Sequence, residues 1–351
     1  MLKIQKRLGV PARAAHVLLR ELLIYALGWV DVYSDAGTGS FGLVASGTDG
    51  ETDVSLPTTF TAASATFSVA DIGRYLVLGG ANTPQGMRGI HRIVSVLSST
   101  TVVVSSGLYG SQFSTALNVA WRVVNPTLNT DATEFTVRGP AGTGSPAWEA
   151  RFFISAVPTN SISIQVGPWG GYSNMLGWTQ PVTATHTVLN DSVPMWYFHV
   201  TDEAIILFTE NTAGSGMYQM AYVGTGVPRR PDIDDHFAVL LAGTASALGT
   251  VSSIAADNVT QVDYQAAIFL DPSAGNMTTA LANSPFDLRR DVLEVSVSST
   301  TGGLMEIDRG TLRGLAFVSD LVSYRSFVDN GRIWLSLGGG LALAWDGSLS
   351  A

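Results

Sequence analysis

The chain has no cysteine. Disulfides, a thiolate nucleophile and Cys-ligated zinc or iron–sulfur centres are therefore excluded, and stability must come from packing or assembly. Charge is also scarce. Asp, Glu, Lys and Arg make up 13% of the residues, against roughly 25% in an ordinary globular protein. Lysine is confined to Lys3 and Lys6, so every other basic side chain apart from histidine is Arg. The net charge of −9 points away from nucleic acid, where affinity rests on Lys and Arg neutralising phosphates. No run approaches the roughly 20 uncharged apolar residues of a membrane span, so no membrane insertion is expected. Lys3, Lys6 and Arg7 imitate the start of a signal peptide, but Arg13, His16, Arg20 and Glu21 interrupt the apolar run that should follow. A non-secreted product is expected.

Catalytic patterns are equally thin. No Ser sits in GxSxG, and the five histidines (His16, His91, His186, His199 and His236) fit no zinc spacing. Residues 37–42 match GxGxxG, yet a strand and not a helix is expected after them, which removes the helix N-terminus that the phosphate needs. The glycines of residues 139–145 lack the Lys of a phosphate loop. Asp232, Asp234, Asp235 and His236 are oxygen-rich but lack the Gly and terminal Glu of an EF-hand, so a solvated turn competes with an ion site. Glu149, Asp202, Glu203 and Glu210 could supply a glycosidase pair only at the right separation, which sequence does not set. The expectation is a chain with no enzymatic activity, no cofactor and no metal.

What the chain has in quantity is strand pattern. The clearest stretch is residues 195–224, MWYFHVTDEAIILFTENTAGSGMYQMAYVG. Trp196, Phe198 and Val200 alternate with Tyr197, His199 and Thr201, and after a polar break a second and third strand follow. Further strands are predicted at 29–33, 40–45, 134–138, 148–155, 161–166, 238–241, 292–297, 304–307 and 312–319. Asp329, Asn330 and Gly331 predict a tight hairpin within 324–334.

One helix is predicted, over 11–27. Pro11 suits its first position and Gly28 its stop. Ala15, Leu18, Leu19, Leu22 and Ala26 form the apolar face, with Arg13, His16 and Arg20 opposite. The helix could pack on its own β domain or on a neighbouring subunit. The predicted fold is mainly β: antiparallel, sandwich-like, with this helix and an inserted small β module. The predicted organisation is an N-terminal helical arm over 1–30, a main β region over 31–57 plus 125–351 that a boundary near 250 would divide, and a roughly four-strand module over 58–124.

Aromatics supply the candidate binding residues. Trp148, Trp169, Tyr172, Trp178 and Trp196 crowd one segment, and Tyr197, Tyr218 and Tyr222 lie off the Trp196–Phe198–Val200 face. Trp and Tyr near glycines can anchor a protein interface or stack on sugar rings, and they also fill β cores. These readings stay open.

Three passages carry a resemblance. They are residues 28–35 (GWVDVYSD), residues 67–76 (FSVADIGRYL) with 89–96 (GIHRIVSV) and 98–104 (SSTTVVV), and the aromatic strands of 195–224. Together the chain resembles β-rich structural proteins of the tailed-bacteriophage virion: tail, baseplate or neck. The resemblance implies a virion location after assembly in the host cytoplasm, with other virion proteins as partners. A homo-oligomer with ring or trimer symmetry is expected, and no catalytic residues are implied. The alternative within the same setting is a tail module that binds host-surface glycans or a receptor through the aromatics.

Overall fold

The computed structural model describes residues 4–35, 41–105, 113–128, 133–138, 148–154 and 161–168, and beyond these only strand segments between Val182 and Trp345. The fold is mainly β, and the strand pairings are antiparallel. Among the described residues no helix is long and apolar enough to cross a membrane.

The N-terminal arm starts with a strand, β1 (Ile4–Gly9), and not with the helix. β1 pairs with β13 (Met195–Val200), setting Leu8 opposite Trp196. Helix α1 (Ala12–Arg20) follows, with the Pro11 carbonyl accepting its first bond from Ala15 at 2.9 Å. The helix then widens into a π-helical turn, Glu21–Ala26, closed by Leu27 N–H to the Leu22 carbonyl at 3.0 Å. Gly28, with φ +75°, ends it as the sequence predicts.

The predicted polar face of the helix is a correction. His16 is fully buried and Arg20 is largely buried, because the helix is enclosed by its own chain on nearly every side. Leu18, Leu19, Leu22, Leu23 and Ala26 share one core with residues of both large sheets. Docking on the chain's own β structure is therefore the arrangement found.

Strand β2 (Val30–Ser34) leads into a closed six-stranded barrel. Its strands are β3 (Leu43–Thr52), β4 (Thr59–Ala62), β5 (Tyr75–Gly79), β6 (Gly89–Ser98), β7 (Thr101–Val104) and β8 (Ala116–Val124), in the order β3-β4-β7-β6-β5-β8. The small module thus begins at Leu43 and not at 58, with six strands and not four. β3 belongs to it because two glycines remove side chains from the barrel wall. A Cβ on Gly47 would sit 2.7 Å from the Trp121 ring, and one on Gly50 would sit 2.6 Å from the Phe60 ring. Register shifts at the same positions bend β3 around those rings. Phe60, Phe67, Leu76, Leu78, Phe113 and Trp121 fill an interior of the barrel's own.

The barrel is carried on a hairpin. After it, β9 (Glu134–Arg138) pairs with β2. Gly42 and Asn125 meet at the neck, where Asn125 N–H donates to the Gly42 carbonyl at 2.8 Å. Gly42 holds φ +70°, and a Cβ there would strike the Asn125 carbonyl, so only glycine fits. Asp35 ties the hairpin off by accepting from the Thr133 N–H at 2.7 Å and from the Thr133 hydroxyl.

β9 continues through β10 (Trp148–Ile154), β11 (Ser161–Pro168) and β12 (Val182–Thr187), giving a five-stranded sheet in the order β12-β11-β10-β9-β2. The other large sheet runs β1-β13-β14-β15-β16, with β14 (Ala204–Glu210), β15 (Gln219–Pro228) and β16 (Phe237–Thr244). It goes on through Ser252–Ala255, Tyr264–Ala267, Glu294–Ser299 and Ile307–Leu312. The predicted hairpin forms between Ser326–Asp329 and Arg332–Gly338, with Asp329 opposite Arg332. β5 is buried on both faces because one points into the barrel and the other, with Tyr75 and Val77, lies against the helix core.

Candidate functional site

The described polar groups are concentrated at joints between elements. At the first joint, Glu21 begins the π-helical turn with its side chain only 4% exposed. Its carboxylate accepts from Arg20 Nη1 at 2.8 Å on one oxygen and from Arg122 Nη1 at 3.2 Å on the other. Arg20 also reaches Asp31 at 2.7 Å and the Ser34 hydroxyl at 3.0 Å, both on β2, and covers the Phe41 ring at 4.0 Å. Arg122, on β8 of the barrel, covers the Tyr25 ring at 4.0 Å. Burial raises the Tyr25 phenol pKa, partly offset by Arg122. The seam thus links helix, hairpin and barrel through one carboxylate.

The second joint is His16. Its Nε2 lies 3.0 Å from the Phe152 carbonyl on β10, and its ring packs 4.8 Å from Phe135 on β9. Burial lowers its pKa to about 4.

The third is a ladder on one face of the five-stranded sheet. Glu149, fully buried, pairs with Arg138 at 2.8 Å, and Arg151 bridges Glu134 and Gln165. Glu149 and Arg138 face each other across the strands, whereas Glu134 lies four residues further along β9. Of the four carboxylates considered for a glycosidase pair, Glu149 is thus taken up by Arg138.

The barrel has its own polar contacts. Asp49 accepts from the Ser64 hydroxyl at 2.7 Å, the Ser64 N–H at 2.6 Å and Trp121 Nε1 at 3.1 Å, which hold its pKa down at about 2. Asp71 caps the turn before β5, taking the Ser68 N–H at 2.8 Å and Arg74 at 2.5 Å.

The aromatic candidates divide. Trp196 is fully buried and donates from Nε1 to the Val10 carbonyl at 3.0 Å, so it fixes the arm to the sheet. Tyr197, His199 and Val200 are buried as well, so both faces of β13 are covered within the chain and Tyr197 presents no open surface. Trp148 opens β10, opposite Pro168. Tyr222 lies on β15 between Ile206 and Leu241. Glu210 closes β14 opposite Met195. Trp169, Tyr172, Trp178 and Tyr218 lie outside the described residues, as do Asp202, Glu203, Asp232, Asp234 and Asp235. The GxGxxG match ends at Gly42, and strand β3 follows it directly, not a helix. Among the described residues no three His, Asp or Glu side chains converge as a metal site.

What the surface does offer is apolar. Val54, Leu56 and Leu117 are exposed on adjoining segments of the barrel, tied by Val54 N–H to Thr115 Oγ1 and by Phe113 N–H to the Pro57 carbonyl. Val69, Ile72 and Val94 are exposed where the turn before β5 meets β6, through Gly73 N–H to the Ile93 carbonyl. This barrel surface is the candidate interface. Sequence reasoning missed it because the same alternation serves the inner and outer walls of a small barrel. It missed the Glu21 seam too, although the charges of Arg20 and Glu21 within an apolar helix were a usable signal.

No protein-family model matches the chain, and no curated protein matches it significantly.

Proposed function

We propose that the chain is a structural subunit of a tailed-phage virion, in the tail, baseplate or neck, and works through subunit contacts without turnover. The observation that supports this reading is the barrel surface. Its interior is closed, yet Val54 is 63% exposed with Leu56 and Leu117 on adjoining segments, and Val69 is 79% exposed with Ile72 and Val94 at a second place. On a chain with only 13% charged residues, apolar groups displayed this way suit burial against another subunit. The barrel stands on a hairpin, which would present it to a neighbour.

Two measurements test the reading. Mass spectrometry of purified phage particles should find the chain in many copies per particle, and particles without it overturn the assignment. The purified chain should self-associate or bind another virion protein, and Leu56→Asp with Leu117→Asp should weaken that association while leaving the fold intact. Unchanged association in the double variant would remove the barrel surface from the reading.

A further inference from the structure

His16 lies on the second turn of α1 with none of its surface exposed. A carbonyl oxygen only accepts, so Nε2 must carry the proton in its 3.0 Å contact with Phe152. Nδ1 is buried and has no hydrogen-bond partner. The seat therefore fits neutral imidazole. Imidazolium would bring a second N–H with nothing to receive it and a charge among Phe41, Phe135 and Phe152.

The charged groups facing the ring divide in sign. Arg13 and Arg20, on the same helix, oppose a positive charge, and Asp35, at the end of the β2–β9 hairpin, favours one. β9 and β10 bring apolar rings and the Phe152 carbonyl. Burial outweighs the rest and sets the direction downward, to about 4 from the usual 6.5.

The helix that carries His16 is also the joint of the molecule. Its leucines share one core with both sheets and with Tyr75, Val77 and Ile90 on the outside of the barrel. The barrel interior is a separate cluster.

We propose that α1 is an acid-released latch: protonation of His16 lifts the helix from β9 and β10 and loosens the joint, while the barrel interior stays closed. The sign follows from linkage. An opened helix has a histidine of ordinary pKa near 6.5, and the closed one binds its proton only near 4. Opening is therefore unaffected above about pH 6.5 and grows as pH falls through the window. It reaches about 160-fold at pH 4 and levels off near 300-fold about a unit below that.

Hydrogen exchange across pH 7 to 4, corrected for its intrinsic pH dependence, tests the latch on the full chain. Residues 12–26 should lose protection by up to the factor above while barrel strands keep theirs, and His16→Gln should abolish that pH dependence. Simultaneous loss in helix and barrel, or a wild-type pH profile in His16→Gln, overturns the proposal. If that variant does not fold, carbon-13 NMR of the wild-type imidazoles decides. A neutral His16 with its proton on Nε2 at pH 6 supports the latch, and a charged His16 at that pH overturns it.

Discussion

The barrel and the helix-centred core solve the same problem by opposite means. The barrel draws its interior from one continuous stretch, Phe60 to Val123, and closes entirely within residues 43–124. The helix-centred core draws on residues from Leu8 to Val223. Its outermost strand, β1, finds its partner β13 almost the whole described core away, with Trp196 Nε1 reaching back to Val10. Ordering a chain over such a span must precede any return from burial, so local closure is favoured kinetically. The difference indicates that the barrel can form early and that the rest depends on the arm arriving.

Deleting residues 1–28 is the largest way to break that comparison. It removes β1 and the whole helix from the shared core, so the large sheets should lose cooperative folding while the barrel retains protected amides. Circular dichroism and hydrogen exchange would show this. A deletion that leaves both sheets folded would mean the helix merely decorates them. Next in size is Trp121→Ala. The ring is fully buried against Phe60 and Phe67, and its loss should destabilise the barrel by about 3–5 kcal/mol. Urea unfolding followed region by region should move the barrel and leave the sheets near their wild-type midpoint. Smallest is Glu21→Gln. It leaves Arg20 and Arg122 without their shared carboxylate, and since Arg122 is about a third exposed, the cost should be about 2 kcal/mol after solvent screening. A double-mutant cycle with Arg122→Met should show coupling, and additive effects would show that the seam does not join barrel to helix.

Several elements were legible because their signals are local. Gly28 stops the helix, β9 occupies the predicted 134–138, and Asp329 stands opposite Arg332 across the predicted turn. His16 was not legible, because the acceptor that makes its burial tolerable lies on β10, 136 residues away. A helix wheel places such a residue in water. The change to π-helical pitch at Glu21 also shifts which side chains align beyond that point, and no periodicity announces it. Inclusion of β3 in the barrel turned on Gly47 and Gly50, whose role appears only once Trp121 and Phe60 are placed beside them. Alternation puts Tyr197 off the Trp196 face and so makes it a candidate interface or ligand aromatic. A strand pattern cannot say that a second layer covers that side.

The neck at Gly42 and Asn125 has a practical consequence. The backbone enters and leaves the barrel at adjacent points, joined by one 2.8 Å bond, above a hairpin already fastened by Asp35 and Thr133. The barrel is therefore a cassette. A gene shortened to bridge that gap with a tight turn would keep the chain continuous but uncover the helix face on which Tyr75, Val77 and Ile90 lie. The remaining β architecture should therefore need a foreign domain with adjacent termini at the same port to cover that face again.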